Sequence, residues 1–390
     1  MYLNDLKIKF IFIILIIFLY NCFYISFIRT SKKVGVIGLV HSKNVGNNLL
    51  KYAIYIKLTE LGYSPYIVEN RVKNHNNSFI ARSVNMKLIQ NFSEIKENDF
   101  DILMVNSDQT WRKYDSYFYD IAFLRFAEKW KKPKFIYGTS TGSDNWELSK
   151  EDDKIAKHLI NDFTGISVRE DNLVKMITSH LGFKSEIVLD PTLLIDKKYY
   201  LDLIKEYKSN IIDKSNNGNF IFAYILTKKQ MYLFENYFHE VERKLNTKIF
   251  NITIYTENQV EEFLYGIINS KAVITNSFHG TIFSAIFNKP FVTFTYNGIK
   301  QSRFKTLNDV IKIENRIFDY NSFPSISLLT QPLKLKRNKL KLFRFFESII
   351  FLILLYYKGN NSRKHIDKEY KKKIRKEFGI KVCFCLLLFE

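Results

Sequence analysis

Apolar and polar positions fall along the middle of the chain in blocks that predict strand, polar tip and helix in turn. Residues 34–40 read as a buried strand, 41–48 as a polar loop, and 49–61 as a helix closed by Gly62, with a strand resuming at 66–68. The runs 101–106, 135–137, 165–168 and 186–189 are further strand candidates. Each ends in polar residues: Ser107-Asp108-Gln109, Gly138-Thr139-Ser140, Arg169-Glu170-Asp171 and Asp190-Pro191-Thr192. From about residue 217 the style repeats, with a strand at 220–226, a helix at 228–245, a strand at 248–253 and a helix at 259–270. An apolar run then ends in Asn276-Ser277-Phe278-His279-Gly280. Gly280 reads as a sharp turn, 281–287 as a buried helix, Asn288-Lys289-Pro290 as its break, and 291–294 as the next strand.

Strands alternating with helices predict an α/β fold with two Rossmann-like, doubly wound domains facing a cleft. The expected boundaries are 34–209 and 217–330, joined through the hydrophilic stretch 210–219. In such sheets ligands bind beyond the carboxyl ends of the strands, where free backbone N–H groups and helix dipoles attract anions. The polar tips are therefore the candidate site. Asn44 and Asn47 sit in a Gly/Asn-rich loop without G-x-G-x-x-G spacing, so no dinucleotide fingerprint is present. Several tips have two readings. Ser107-Asp108 either caps the segment that follows or faces the cleft. Gly46-Asn47 is either turn chemistry or a ligand contact. Arg169-Glu170 is either a surface ion pair or a functional pair.

Charge changes the picture only at the ends. Of the +20 net charge, residues 331–390 hold +11 and residues 1–33 hold +4, which leaves the body mildly basic. Aromatic and basic residues do not interleave in the body, so a nucleic-acid partner is set aside. Residues 8–28 are almost wholly apolar, long enough to span a bilayer, and carry more positive charge after than before. A single-pass anchor over 1–33 is expected, with the body at the cytoplasmic face of the membrane. Residues 331–390 form a basic, amphipathic helical tail, lying against an anionic membrane face or packed on the body. Cys22, Cys383 and Cys385 all lie in these ends, which fits a reducing compartment. Neither they nor the histidines show metal-ligand spacing, and no metal or cofactor is expected.

Taken in order, the strand tips resemble those of the polysaccharide pyruvyl transferase family. The resemblance rests on Gly46-Asn47-x-Leu49-Leu50-x-Tyr52-Ala53, Ser107-Asp108-Gln109-x-Trp111, Ser167-Val168-Arg169-Glu170, Leu189-Asp190-Pro191-Thr192, Asn276-Ser277-Phe278-His279-Gly280, Lys289-Pro290-Phe291 and Ser302-Arg303-Phe304. It covers about residues 34–318. It implies an architecture similar to the GT-B glycosyltransferases and a reaction moving the pyruvyl group of phosphoenolpyruvate onto sugar hydroxyls as a ketal. The acceptor would be a surface glycan or a lipid-linked precursor. Matching the motifs places the active-site histidine at His279 and the substrate-contacting arginine at Arg169. Arg303 and Lys300 would add positive charge for the donor beside Asn276 and Ser277. Asn44, Asn47, Asp108 and Gln109 would hold sugar hydroxyls from the amino-terminal, acceptor side, with Asp108 as a second base. Two positions depart from the pattern: Ser277 stands where some members have arginine, and Asn106 where the usual residue is glycine. The rival readings are a nucleotide-sugar glycosyltransferase of the same fold and a membrane-tethered scaffold without activity.

Overall fold

The computed structural model describes residues 31–39, 44–70, 79–113, 117–209, 219–252, 259–296, 298 and 301–333. The expected anchor at 8–28, the centre of the linker and the tail from 334 onward lie outside the described residues. Among the described residues no helix is long and apolar enough to cross a membrane.

Two parallel sheets organise the chain. The first comprises β1 (Lys33–Ile37), β2 (Ser64–Asn70), β3 (Met86–Ile89), β4 (Ile102–Val105), β5 (Lys134–Thr139), β6 (Gly165–Val168) and β7 (Glu186–Ile187). Its order is β3-β2-β1-β4-β5-β6-β7, with every pair parallel. The second comprises β8 (Phe220–Tyr224), β9 (Lys248–Ile252), β10 (Ala272–Thr275), β11 (Phe291–Thr295) and β12 (Ile317–Asp319), in the order β12-β11-β10-β8-β9 and again all parallel. Every residue of β4, β5, β8, β10 and β11 is buried. That is why these strands read as unbroken apolar runs instead of alternating ones: helices cover both faces. Strand order reverses between β1 and β4 and again between β8 and β10, so each sheet opens a crevice at that point.

One apolar cluster is common to both sheets. It joins Val34 and Val36 of β1 to Leu49 and Ala53 on the Val45–Glu60 helix, then to Phe220 and Phe222 of β8 and Phe283 on the Phe278–Ile286 helix. Burying each such large side chain contributes about 1.5–3 kcal/mol, so this shared core holds the two sheets' ligand edges at a set distance. A buried Lys51–Glu69 ion pair fastens the Val45–Glu60 helix to β2.

Four departures from the sequence pattern have physical causes. The first helix begins at Val45, not 49, because the Asn44 side chain accepts from Asn47 N at 3.2 Å and caps it. The helix after β10 begins at Phe278, with the Ser277 hydroxyl accepting from Gly280 N at 3.2 Å. Gly280 is thus not a turn residue. It lies inside the helix, where a Cβ would come within 2.3 Å of the Thr275 hydroxyl, so the close packing there requires glycine. The expected 228–245 helix is broken by a tight turn over Tyr232–Phe234, which drives Phe234 into ring contact with Phe294 and Phe238. Finally, β3 and β12 are edge strands and mostly half-buried, so neither reads as an apolar run.

Candidate active site

His279 stands in the first turn of the Phe278–Ile286 helix, almost fully buried. Its Nε2 lies 3.6 Å from Asp190 Oδ2, an electrostatic contact too long for a hydrogen bond. Its Nδ1 lies against Gly46, where an added Cβ would come within 2.0 Å. Only glycine at 46 lets the start of the first helix approach the imidazole this closely. The motif Gly46-Asn47 therefore does more than turn the chain.

Arg169 follows β6 directly, its backbone N–H donating to Thr139 O at 3.2 Å. The buried guanidinium donates from Nη1 to Asp190 Oδ2 at 2.7 Å, and its Nη2 lies 3.8 Å from Asp108 Oδ1. It also sits 5.4 Å from the centre of the Phe278 ring. Asp190 is the hub on which Arg169 and His279 meet. Its other oxygen accepts from both the backbone N–H and the hydroxyl of Thr192, and Pro191 begins the short helix it caps. The sequence reading quoted Asp190 in a motif without a role. An aspartate at a strand tip just before Pro-Thr was the available signal.

Asp108 takes φ 131°, a backbone region that L residues rarely adopt and that collects at functional sites. The surrounding loop enforces it. Ser107 donates to Gly138 O at 2.6 Å, Ser140 N donates to Asp108 O at 2.9 Å, and Trp111 is fully buried against Phe123 and Trp146. Asp108 Oδ2 accepts from Asn47 Nδ2 at 2.9 Å. Asn47, Asp108, Arg169, Asp190 and His279 thus form one contiguous polar cluster, drawn from β4, β6, the β7 tip, the first helix and the second sheet.

Other expected site residues serve different ends. Asn276 Oδ1 accepts from Leu226 N and its Nδ2 donates to Gln230 Oε1, each at 2.9 Å, so it ties the β10 tip to the β8 tip. Ser277 and Asn44 are helix caps. Gln109 lies against Gly142, and its Oε1 accepts from Arg112 Nη1 at 3.4 Å. Arg303 lies over Phe278 and Phe304 at 5.6 and 5.4 Å, carried by the Ser302–Ile311 helix. That helix docks on the first sheet's half, with Ser302 bonded to Asp144 and Asn172 and Thr306 accepting from Asp171 N. Lys300 and His41 lie outside the described residues. Asn106, the departure from glycine, is buried at the β4 tip beside Gly38, with no hydrogen-bond partner for its amide among the described residues.

The cluster's charges are strongly coupled. Burial works against the Asp190 carboxylate, but His279, Arg169 and Thr192 outweigh it and hold the carboxyl well below the usual range. Burial likewise opposes the Arg169 charge, while Asp190, Glu170 and Asp108 overcome it and raise its pKa. Arg303 is shifted down, chiefly by burial. Glu170 behaves differently: burial pushes it up, only partly offset by Arg169, Ser140 and Arg303, and its Oε2 has no partner among the described residues. A raised folded-state pKa means that stability falls as pH climbs from the ordinary glutamate value of about 4.3 towards the folded one. Glu170→Gln is therefore expected to stabilise the protein by about 1–3 kcal/mol at neutral pH. Below about pH 4 the gain should vanish. Denaturant melts at the two pH values check this; equal melts for the two proteins at neutral pH would contradict it.

Arg169, Asp190, Leu193, Phe278, Arg303 and Thr306 line a cavity of about 30 Å³ where the two halves meet. That is room for roughly one water. Among the described residues no cluster of three His, Cys, Asp or Glu side chains could hold a metal ion.

The model of the polysaccharide pyruvyl transferase family matches residues 44–298, which contain every member of the polar cluster. No curated protein matches the chain. Among solved structures, the fold is similar to that of S. aureus MnaA solved with UDP, at 11% identity over 86% of this chain and 99% of that one, with a TM-score of 0.50. It is similar to the same degree to UDP-GlcNAc 2-epimerase from Methanocaldococcus jannaschii, at 11% identity over 81% of this chain and 99% of that one, TM-score 0.50. At such identity these likenesses concern the fold alone.

Proposed function

We propose that this chain, which belongs to the polysaccharide pyruvyl transferase family, transfers the pyruvyl group of phosphoenolpyruvate onto two hydroxyls of a glycan sugar. The observation that carries the reading is the convergence of Arg169 from one sheet and His279 from the other on a single buried carboxylate. A cationic fork beside an imidazole at a helix N-terminus suits a small donor bearing both carboxylate and phosphate.

In the proposed reaction the donor's methylene carbon takes up a proton and its central carbon becomes electrophilic. Two sugar hydroxyls add there as the bond to the phosphate oxygen breaks. One hydroxyl proton replaces the one consumed at the methylene and the other leaves on inorganic phosphate, so donor and diol give ketal and phosphate. His279 is the acid–base group, positioned by Asp190. Arg169 and Arg303 bind the donor's anionic groups. Asn47 and Asp108 face the acceptor, with Asp108 as a second base. No cofactor takes part; phosphoenolpyruvate is a substrate.

The 8–28 segment and the basic tail would hold the enzyme at the cytoplasmic face of the membrane, where lipid-linked glycan precursors are presented.

Full-length protein incubated with phosphoenolpyruvate and glycan from cells lacking this chain tests the reading. Release of inorganic phosphate together with an acceptor mass gain matching a pyruvyl ketal is the expected result. The fold is similar to that of a protein solved with UDP, so the competing outcome is UDP release from a nucleotide sugar with no phosphate from phosphoenolpyruvate, which would overturn it.

A further inference from the structure

Among the described residues three large aromatic side chains are exposed: Tyr232 at 72%, Tyr296 at 67% and Phe323 at 48%. The position of Tyr296 gives its exposure meaning. It follows β11 directly, at the carboxyl edge of the second sheet, and β11 pairs with β10, the strand that delivers His279. The Thr295 hydroxyl lies 3.0 Å from Tyr296 O and 2.9 Å from Gly298 O and donates to them. Gly298 has φ 53° and lies against the backbone of Phe318 and Asp319. Behind the exposed ring stands Tyr320, just past β12, with ring centres 4.8 Å apart at 59°.

Polar contacts connect this aromatic pair to the catalytic edge. Gln230 Nε2 donates to the Tyr320 hydroxyl at 3.4 Å, and Gln230 Oε1 accepts from Asn276 Nδ2 at 2.9 Å, three residues before His279. Arg303 lies near enough to act on the Tyr320 hydroxyl, which connects the pair to the cationic side of the cavity as well.

We propose that Tyr296, backed by Tyr320, is a stacking subsite for a pyranose ring of the acceptor glycan. The inference rests on the acceptor being a glycan, as proposed above. A pyranose offers a face of weakly positive C–H groups rimmed by hydroxyls. A tyrosine face is weakly negative, and its polar tip stays hydrated when the site is empty. The Tyr320 hydroxyl beside it is a neutral hydrogen-bonding group suited to the ring's hydroxyls. A small anionic donor would gain nothing from that surface, so the subsite serves the sugar and not phosphoenolpyruvate. It reads a sugar next to the one that receives the ketal, and so contributes to acceptor choice.

Calorimetric titration of oligosaccharides from the unmodified glycan into wild-type, Tyr296→Ala and Tyr296→Trp proteins tests this. Wild type and Tyr296→Trp should bind alike, Tyr296→Ala about tenfold more weakly, with phosphoenolpyruvate affinity equal in all three. Equal oligosaccharide affinity for wild type and Tyr296→Ala, or none for wild type, would overturn the proposal. Binding that is lost in Tyr296→Ala while wild type releases no phosphate from phosphoenolpyruvate would sink the transferase reading and leave the subsite standing.

Discussion

Replacing His279 with alanine is expected to lower ketal transfer by about 10²–10⁴-fold, the usual worth of a positioned acid–base group. Among the described residues the imidazole has no hydrogen-bond partner at Nε2, and its neighbours Gly46 and Asp190 are held by other contacts. The variant should therefore fold, bind phosphoenolpyruvate within a few-fold of wild type and fail at turnover. Phosphate release and the mass of the glycan report the chemistry, while circular dichroism and donor titration report the fold and site. An active His279→Ala protein would remove the imidazole from the mechanism. Wild-type protein that leaves the glycan unchanged would favour the scaffold reading.

Asp190→Ala should have the largest effect on stability, a loss of about 3–5 kcal/mol, because it strands a buried guanidinium. Arg169 is 5% exposed, and its next carboxylate, Asp108, is 3.8 Å away. The sign of the pH dependence follows from the carboxyl's depressed value. Its stabilisation is complete above the ordinary aspartate value of about 4 and disappears as pH falls through the lower, folded value. The gap between wild type and Asp190→Ala should hense be constant from about pH 5 upward. It should close only in stronger acid. Chemical denaturation across that range measures it; a gap that narrows near neutral pH would show that Asp190 is not the partner Arg169 depends on. Asp190→Asn keeps the shape and the bonds from Thr192 but sets an amide nitrogen where Oδ2 accepts from Arg169, so it too loses stability and its kcat is compared at temperatures where it remains folded. In that variant kcat should fall about a hundredfold through a misplaced imidazole with the acceptor KM little changed, whereas a purely structural role would leave kcat alone.

The site was partly legible along the chain because parallel α/β sheets place polar residues at strand tips, and a polar tip after an apolar run is visible in one dimension. His279, Arg169, Asp108 and Asn47 emerged that way and do meet. Asp190 emerged only as part of a motif, since its role depends on two partners from segments 21 and 89 positions away. Asn276 and Gln109 show what the tip position leaves open. Both stand on tips, yet one ties two strands together and the other lies against Gly142, and a tip's position alone does not say which way its side chain points.

Gly280 makes the same point about local structure. Glycine in a polar stretch suggested a turn, but the constraint is a threonine hydroxyl five positions earlier that leaves no space for a Cβ. Likewise Asn44 and Ser277 each started a helix earlier than the apolar period indicated, because a side-chain cap supplies the bonds that the first turn lacks.

By itself, the amino-acid sequence determined that this protein is an α/β chain with two sets of parallel strands and with chemistry at their carboxyl ends. Hydrophobic period and helix-breaking residues are local properties, and they act through neighbours a few positions away. Tertiary structure alone decided which tips face one another and that Asp190 joins Arg169 to His279. Those facts arise from packing two sheets against a shared core, where contacts form between residues a hundred or more positions apart and no periodicity along the chain encodes them.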